Sequence, residues 1–151
     1  MLSKWIKLST FFTLKEVMCP CGCGFYGANS ELLDKLDQIR IGINRPLIAT
    51  SICRCSNYDR KLALKDNKFE FDTGLIIHPD YLQKNLTIMS ESRTSSHILG
   101  FASDILVNSS HERYEIKYQA YKCNISRIGN GPNFIHVDID PNKPQQVEWN
   151  Y

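Results

Sequence analysis

Two short stretches of this chain put imidazoles close to carboxylates. SSHILGFASD, from Ser95 to Asp104, contains His97 and Asp104, and NFIHVDID, from Asn133 to Asp140, contains His136, Asp138 and Asp140. The chain has only four histidines, so this is a concentrated use of them. A turn at Gly100 can fold the segment so that His97 and Asp104 meet, because glycine tolerates backbone conformations closed to other residues. Two imidazoles and one carboxylate are a ligand set for a catalytic zinc, which keeps a fourth position for water. Such an ion activates the water and polarises a peptide carbonyl. Hydrolysis also needs a base near that water.

Asp138 is the candidate for that base. On a strand, positions 134, 136, 138 and 140 share one face, so His136 and Asp138 can face one cavity. Asp138 could take the proton, or it could hold the ring of a ligand histidine, as outer-shell carboxylates do. Asp140 is a weaker candidate, because Pro141 should end the strand. The competing reading is structural: His97 caps a turn, Asp104 bonds backbone and His136 is an ordinary strand residue. Arg54, at the end of an expected strand, is open to two readings: a structural ion pair, or a fork of donors for a substrate carboxylate or a developing oxyanion. His78, before Pro79, and His111, near an expected helix start, read as ordinary residues.

The six cysteines are Cys19, Cys21, Cys23, Cys53, Cys55 and Cys123. Five fall in the clusters CPCGC and CRC, which are open to three readings: free thiols, bridges across the clusters, or a second, structural zinc. CxCxC is not a standard zinc-finger spacing. Neither Cys53 nor Cys123 has a histidine partner in sequence that would make it a peptidase nucleophile.

The elements that must position these groups follow from patterning. Phe11, Phe12, Leu14 and Val17 are core candidates around a short helical turn. NSELLDKLDQIRIG predicts a helix capped by Asn29 or Ser30, with Leu32, Leu33, Leu36 and Ile39 on one side and Gly42 as its stop. NRPLIATSICR reads as a strand ending near Arg54. Residues 56–94, broken by Gly74 and Pro79, read as an inserted lid or substrate-binding segment. Ser95–Gly100 is a turn into the strand FASDILV, where Ala102 and Asp104 point one way. A helix starts near Ser110, and ISRIG and NFIHVDID form two strands around a turn at NGPN. The expected class is α+β, with helices flanking an antiparallel sheet.

A chain of 151 residues reads as one domain, 1–151. It is long enough to bury roughly 68–70% of its unfolded surface, so a metal is not required merely to hold a core. Hydrophobic residues make up 42% and charged residues 23%, as expected of a globular chain. The net charge is +2 and the basic residues are scattered, which argues against a nucleic-acid partner. No apolar run approaches the ~20 residues of a membrane span. The N-terminal stretch lacks the uninterrupted apolar core of a signal peptide, so the expected location is the cytoplasm of the producing cell, and action outside the membrane would need another exit route, such as host lysis. A monomer is the expected state.

Ser95, His97, Gly100, Ala102 and Asp104 fit the pattern S-x-H-x-x-G-x-A-x-D, and FIHVD follows at Phe134–Asp138. With SICR upstream, FTLKEVMCPCGCG near the start and VEW near the end, the ordered set resembles the zinc D-Ala-D-Ala carboxypeptidase family, in the branch with small-phage members. The likeness runs from about Phe12 to Trp149. It implies the fold shared with lysostaphin-type peptidases and the hedgehog signalling domain. It implies His97, Asp104 and His136 as zinc ligands, with Arg54 and Ser95 at the substrate. The implied substrate is bacterial peptidoglycan, cut as a D,D-carboxypeptidase or an endopeptidase. The chain departs from the pattern at Asn133, where some members have an acid, and at Phe134, where others have a histidine. It also lacks the glycine-rich approach to the first histidine. The rival readings are a zinc-holding wall-binding or signalling domain without turnover, and a cysteine-zinc module for nucleic acid.

Overall fold

The computed structural model describes residues 7–66 and 95–151. Its elements in chain order are α1 (Leu14–Val17), α2 (Ser30–Ile43), β1 (Ala49–Ser51), α3 (Ser56–Asp66), β2 (Ala102–Leu106), α4 (Ser110–Lys122), β3 (Arg127–Asn130), β4 (Phe134–Asp138) and β5 (Val147–Asn150). Of the segment expected to be a lid, residues 56–66 form α3. The remainder, with His78, lies outside the described residues.

The α2 helix begins where its sequence says it should. Asn29 caps it, its side-chain oxygen accepting from the Glu31 N–H at 2.8 Å, and Leu32, Leu33, Leu36, Ile39 and Ile43 are buried. The helix does not stop at Gly42 as expected; Asn44 ends it in the left-handed conformation at φ 51°. Gly42 serves packing instead. A Cβ there would lie 2.3 Å from the Gln119 side chain, so the glycine lets α4 come close. At its own start, α4 is capped by Ser109, whose Oγ accepts from the Glu112 N–H at 3.1 Å.

The five strands run in the order β1-β2-β4-β3-β5. The first four pair antiparallel, but β5 lies parallel to β3. The sheet is therefore mixed rather than antiparallel throughout. After β4 the chain loops round through residues 139–146 and returns on the far side of β3. The expected strand around Leu47–Ile52 shrinks to three residues, and the register shifts between Ala49 and Ser51. Ser51, Ile52 and Cys53 are then buried in succession, a pattern that a regular strand with one solvent face does not give.

One sheet face carries the core. Ile105 pairs with Ile135, and Ser103 with Val137, which pairs in turn with Ile128. The four aliphatic residues in these pairs are 0% exposed and join Leu36, Ile39, Ile116 and Ala120 from the helices. Each such side chain stabilises the fold by roughly 1.5–3 kcal/mol relative to exposure. Arg113 of α4 adds a clamp on the β3–β4 turn, donating to the carbonyls of Phe134, Gly131 and Pro132 at 2.9–3.1 Å.

Candidate metal centre

The opposite sheet face carries the polar residues. Successive strand neighbours place Ser51, Asp104, His136, Gly129 and Trp149 in one row across all five strands. Ala102, Asp138, Arg127 and Val147 form the row beside it. Period-two alternation thus delivers Asp104, His136 and Asp138 to one side, as their spacing predicts.

His97 reaches the row from a loop. The turn Ser96–Gly100 is closed by Phe101 N–H to Ser96 O at 2.8 Å and Ile98 N–H to Ser95 O at 3.0 Å. Gly100 has φ +77°, and a Cβ there would stand 1.8 Å from the Gly27 carbonyl oxygen, so this position needs glycine on both counts. The segment after β1 grips His97 twice. The Arg54 N–H donates to the His97 carbonyl at 3.2 Å, and His97 Nδ1 lies 3.2 Å from Ile52 O.

Three ligand atoms converge. His97 Nε2 is 3.3 Å from His136 Nδ1, His136 Nδ1 is 2.9 Å from Asp104 Oδ1, and His97 Nε2 is 3.3 Å from the same oxygen. A tetrahedral zinc with Zn–N of about 2.0–2.1 Å sets its ligand atoms roughly 3.3–3.4 Å apart. The outward nitrogens have acceptors of their own. His97 Nδ1 faces a carbonyl, and His136 Nε2 faces Asp138 Oδ2 at 3.5 Å. Both partners are acceptors, so each neutral ring can carry its hydrogen outward and turn a lone pair inward toward a bound ion. In that tautomeric state two lone pairs and a carboxylate oxygen meet, an arrangement that suits a cation; with no ion bound, Asp104 Oδ1 is an acceptor within reach of both inward nitrogens. His97, Asp104 and His136 are 2–7% exposed, so bulk water does little to relieve it.

Burial and the neighbouring groups together set the ionisation states. Burial pushes the His97 pKa below its ordinary 6.5, with Asp104 opposing. Burial also pushes His136 down, but the carboxylates of Asp104 and Asp138 outweigh it and leave the pKa raised. Asp104 is raised by burial and lowered by the two histidines, which win and hold it well below the usual carboxylate range.

Arg54 stands beside the cluster. Its guanidinium pairs with Asp104 Oδ2, while its Nε donates to Ser51 Oγ at 2.9 Å and its Nη1 lies 3.4 Å from Asp59. Asp138 is enclosed. Its Oδ2 accepts from the Ser96 hydroxyl at 2.8 Å and lies 3.2 Å from Arg127 Nε; its Oδ1 accepts from the Asp140 N–H at 2.7 Å. Burial raises its pKa, but His136, the Asp140 N–H and Ser96 together hold it below the usual range. Asp140, beyond the strand end, is 1% exposed; its Oδ1 accepts from the Asn142 N–H at 3.0 Å. Ser95 turns its Oγ to the His97 N–H at 3.3 Å and lines the cavity above the cluster. His111 is exposed on α4, with Nε2 3.5 Å from Glu115.

That cavity measures about 370 Å³. Sequence reasoning missed much of its lining. Arg127 and Lys143 add cations, and Phe134, Trp149 and Tyr151 form an aromatic wall. Trp149 lies against Gly129, where a Cβ would come within 2.7 Å of its ring, and its centroid is 5.5 Å from that of His136. Leu62 of α3 also lines the cavity. The alternation of Val147 and Trp149 was the available signal for β5, but four residues are too few to separate a strand from a tail.

The cysteines resolve into a second candidate cluster. The ligand sulfurs of Cys19, Cys21, Cys23 and Cys55 all lie within 4.8 Å of one another. Cys53, grouped with them by sequence, is elsewhere: its sulfur accepts from the Gly27 N–H at 3.2 Å. All six are free thiols. The Tyr58 N–H is the largest influence on Cys55, whose pKa is lowered to about 7.

Comparison with protein-family models, curated proteins and solved structures finds no significant match in any of the three. The geometry shows an α+β chain with a mixed sheet and two clusters able to hold a metal ion. Among the described residues, no helix is long and apolar enough to cross a membrane.

Proposed function

We propose that the protein is a zinc-dependent peptidase that cleaves a peptide bond in bacterial peptidoglycan, as a D,D-carboxypeptidase or endopeptidase. The reading rests on one observation: the inward nitrogens of His97 and His136 and an oxygen of Asp104 converge at 2.9–3.3 Å in a buried site that opens on one side to a cavity. The motif S-x-H-x-x-G-x-A-x-D and the later FIHVD, read as a peptidase signature, supply these three residues.

An ion held there supplies Lewis acidity, activating water and polarising the scissile carbonyl. The remaining work falls to side chains. Asp138 is a positioning residue: its contact with His136 Nε2 fixes the ring so that Nδ1 faces inward. Its other partners leave it poorly placed to swing toward a substrate, which favours this role over that of proton acceptor. Arg54, held by Asp104, Ser51 and Asp59, presents a guanidinium at the cavity for a substrate carboxylate or for charge growing on the carbonyl oxygen. Arg127 and Lys143 extend the cationic lining toward an acidic stem peptide, and Trp149 and Tyr151 shield the reacting bond from water. A producing cell would bring such an enzyme to the wall on lysis, and it would work as a monomer.

The test is incubation of the zinc-loaded protein with defined muropeptides, followed by mass spectrometry. Metal-dependent loss of a terminal D-residue identifies a carboxypeptidase, and cleavage within the stem identifies an endopeptidase. H97A, D104A and H136A should each abolish turnover and lower metal affinity by more than about 100-fold, beyond the 10–100-fold expected of an outer-shell change. Tight zinc binding without cleavage of any D,D, L,D or L-Ala-D-Glu bond would instead establish the noncatalytic wall-binding reading. The enclosed state of Asp138 is the observation that favours that reading.

A further inference from the structure

The cysteine cluster lies outside the histidine site and has its own geometry. On an extended strand, Cys19, Cys21 and Cys23 would share a face but stand roughly 6.6 Å apart in steps of two residues. Here the chain curls. Gly22 and Gly24 take φ +80° and +84°, and a Cβ at either would meet nothing within 4 Å. The glycines are therefore required by conformation, not by crowding. The curl brings Cys19 Sγ within 3.3 Å of Cys21 Sγ, and Cys21 Sγ within 3.7 Å of Cys55 Sγ. A tetrahedral zinc with Zn–S of about 2.3 Å holds its sulfurs roughly 3.8 Å apart.

Three of the four sulfurs accept backbone N–H bonds, as ligand thiolates do. Cys19 accepts from the Cys55 N–H at 3.3 Å, Cys23 from the Phe25 N–H at 3.4 Å and Cys55 from the Tyr58 N–H at 3.4 Å. Backbone donors stabilise negative charge on sulfur. The loop has little else to hold it. Residues 20–27 are exposed, and of the 19–25 stretch only Cys19 is buried. Two backbone bonds close it, Cys19 N–H to Phe25 O at 2.8 Å and Gly22 N–H to Cys19 O at 3.1 Å.

We propose that Cys19, Cys21, Cys23 and Cys55 hold a structural zinc ion that ties the 19–25 loop to the segment carrying Arg54. Four thiolates in a tetrahedral arrangement select a soft ion and close the site to water, so this ion does no chemistry. Its effect is mechanical. Cys55 directly follows Arg54, whose N–H holds the His97 carbonyl and whose guanidinium holds Asp104. Fixing Cys55 therefore fixes two contacts of the histidine site.

The site is read without any activity assay, so its fate is separate from that of the peptidase reading. The full chain, saturated with zinc under reducing conditions and desalted, should carry two ions by elemental analysis. The H97A/H136A variant should keep one, and so should C21S/C23S, whose substituted side chains are exposed. Cobalt in place of zinc should give an intense sulfur-to-cobalt charge-transfer band in wild type and in H97A/H136A. The band should vanish in C21S/C23S and persist in C53S, because Cys53 lies outside the set. C21S/C23S should also bind metal at the histidine site about tenfold more weakly, the low end of outer-shell effects. Absence of the charge-transfer band, iron in place of zinc, or a non-reduced mass lower by two hydrogens per bridge would overturn the assignment. Unchanged affinity at the histidine site would overturn the tie to Arg54.

Discussion

His97 Nε2 and His136 Nδ1 face each other at 3.3 Å, and Asp104 Oδ1 lies within 3.3 Å of both. Their outward nitrogens are committed to Ile52 O and Asp138 Oδ2. A metal ion held here must compete with any proton that an inward nitrogen shares with Asp104.

Metal affinity should fall as pH falls, with a slope set by one proton. The His136 pKa lies above its ordinary 6.5 and that of His97 below it. As pH drops through the raised His136 value, the metal-free site gains its proton on His136 while His97 stays neutral. The ion must displace that proton, so affinity should drop by about tenfold per pH unit. Competition titration with a chelating dye across this range checks it; a slope of two protons would mean that both rings titrate together.

Asp138→Asn separates positioning from bulk. The amide keeps the shape but removes a charge that helps raise the His136 pKa. At neutral pH, metal affinity should fall by about 10–100-fold through a poorly held ring. The pH slope should also flatten, because less proton competes. A purely structural role would lower affinity and leave the slope alone.

In the metal-free protein, acid should destabilise the fold through Asp104 and Asp138. Both carboxyls are held below their ordinary pKa when folded. Their contribution is therefore present above the unfolded value of about 3.9 and lost as pH falls below it toward the folded values. Thermal unfolding of metal-free chain should show the midpoint dropping below about pH 4, with a shallower fall in Asp138→Asn.

Gly129→Ala tests the aromatic wall. The new methyl would lie 2.7 Å from ring atoms of both Trp149 and Tyr151. Both are side-chain atoms, so the rings should move while the sheet holds. In a Trp5→Phe background, Trp149 fluorescence should shift, with one ion still bound at the histidine site. Peptide turnover should fall mainly through a higher KM. An unchanged spectrum would mean that the wall is already open.

How much of this was legible follows from where the information sits. The α2 helix was readable because Asn29 and the spacing of Leu32, Leu36 and Ile39 are local signals. The meeting of His97, Asp104 and His136 was readable because alternation fixes the faces of Asp104 and His136 and because Gly100 permits the turn before Asp104. Ser96, Arg127 and Lys143 were not readable. They act on Asp138 and Asp140 from 11 to 44 residues away in sequence or across a loop, and nothing in their neighbours marks them. The parallel strand β5 was missed for the same reason, since its partner β3 decides its existence. Grouping Cys53 with Cys55 failed because the chain leaves the regular strand after Ser51, which turns the two thiols to different neighbours.

Asp104 and His136 are directly paired residues on adjacent strands. A slip of one residue between β2 and β4 would send His136 to the oily side of the sheet and bring a hydrophobic neighbour in its place. An ion gripped by both strands would therefore proofread their alignment: only correctly zipped chains could take it up, and once seated it would act as a rivet against sliding.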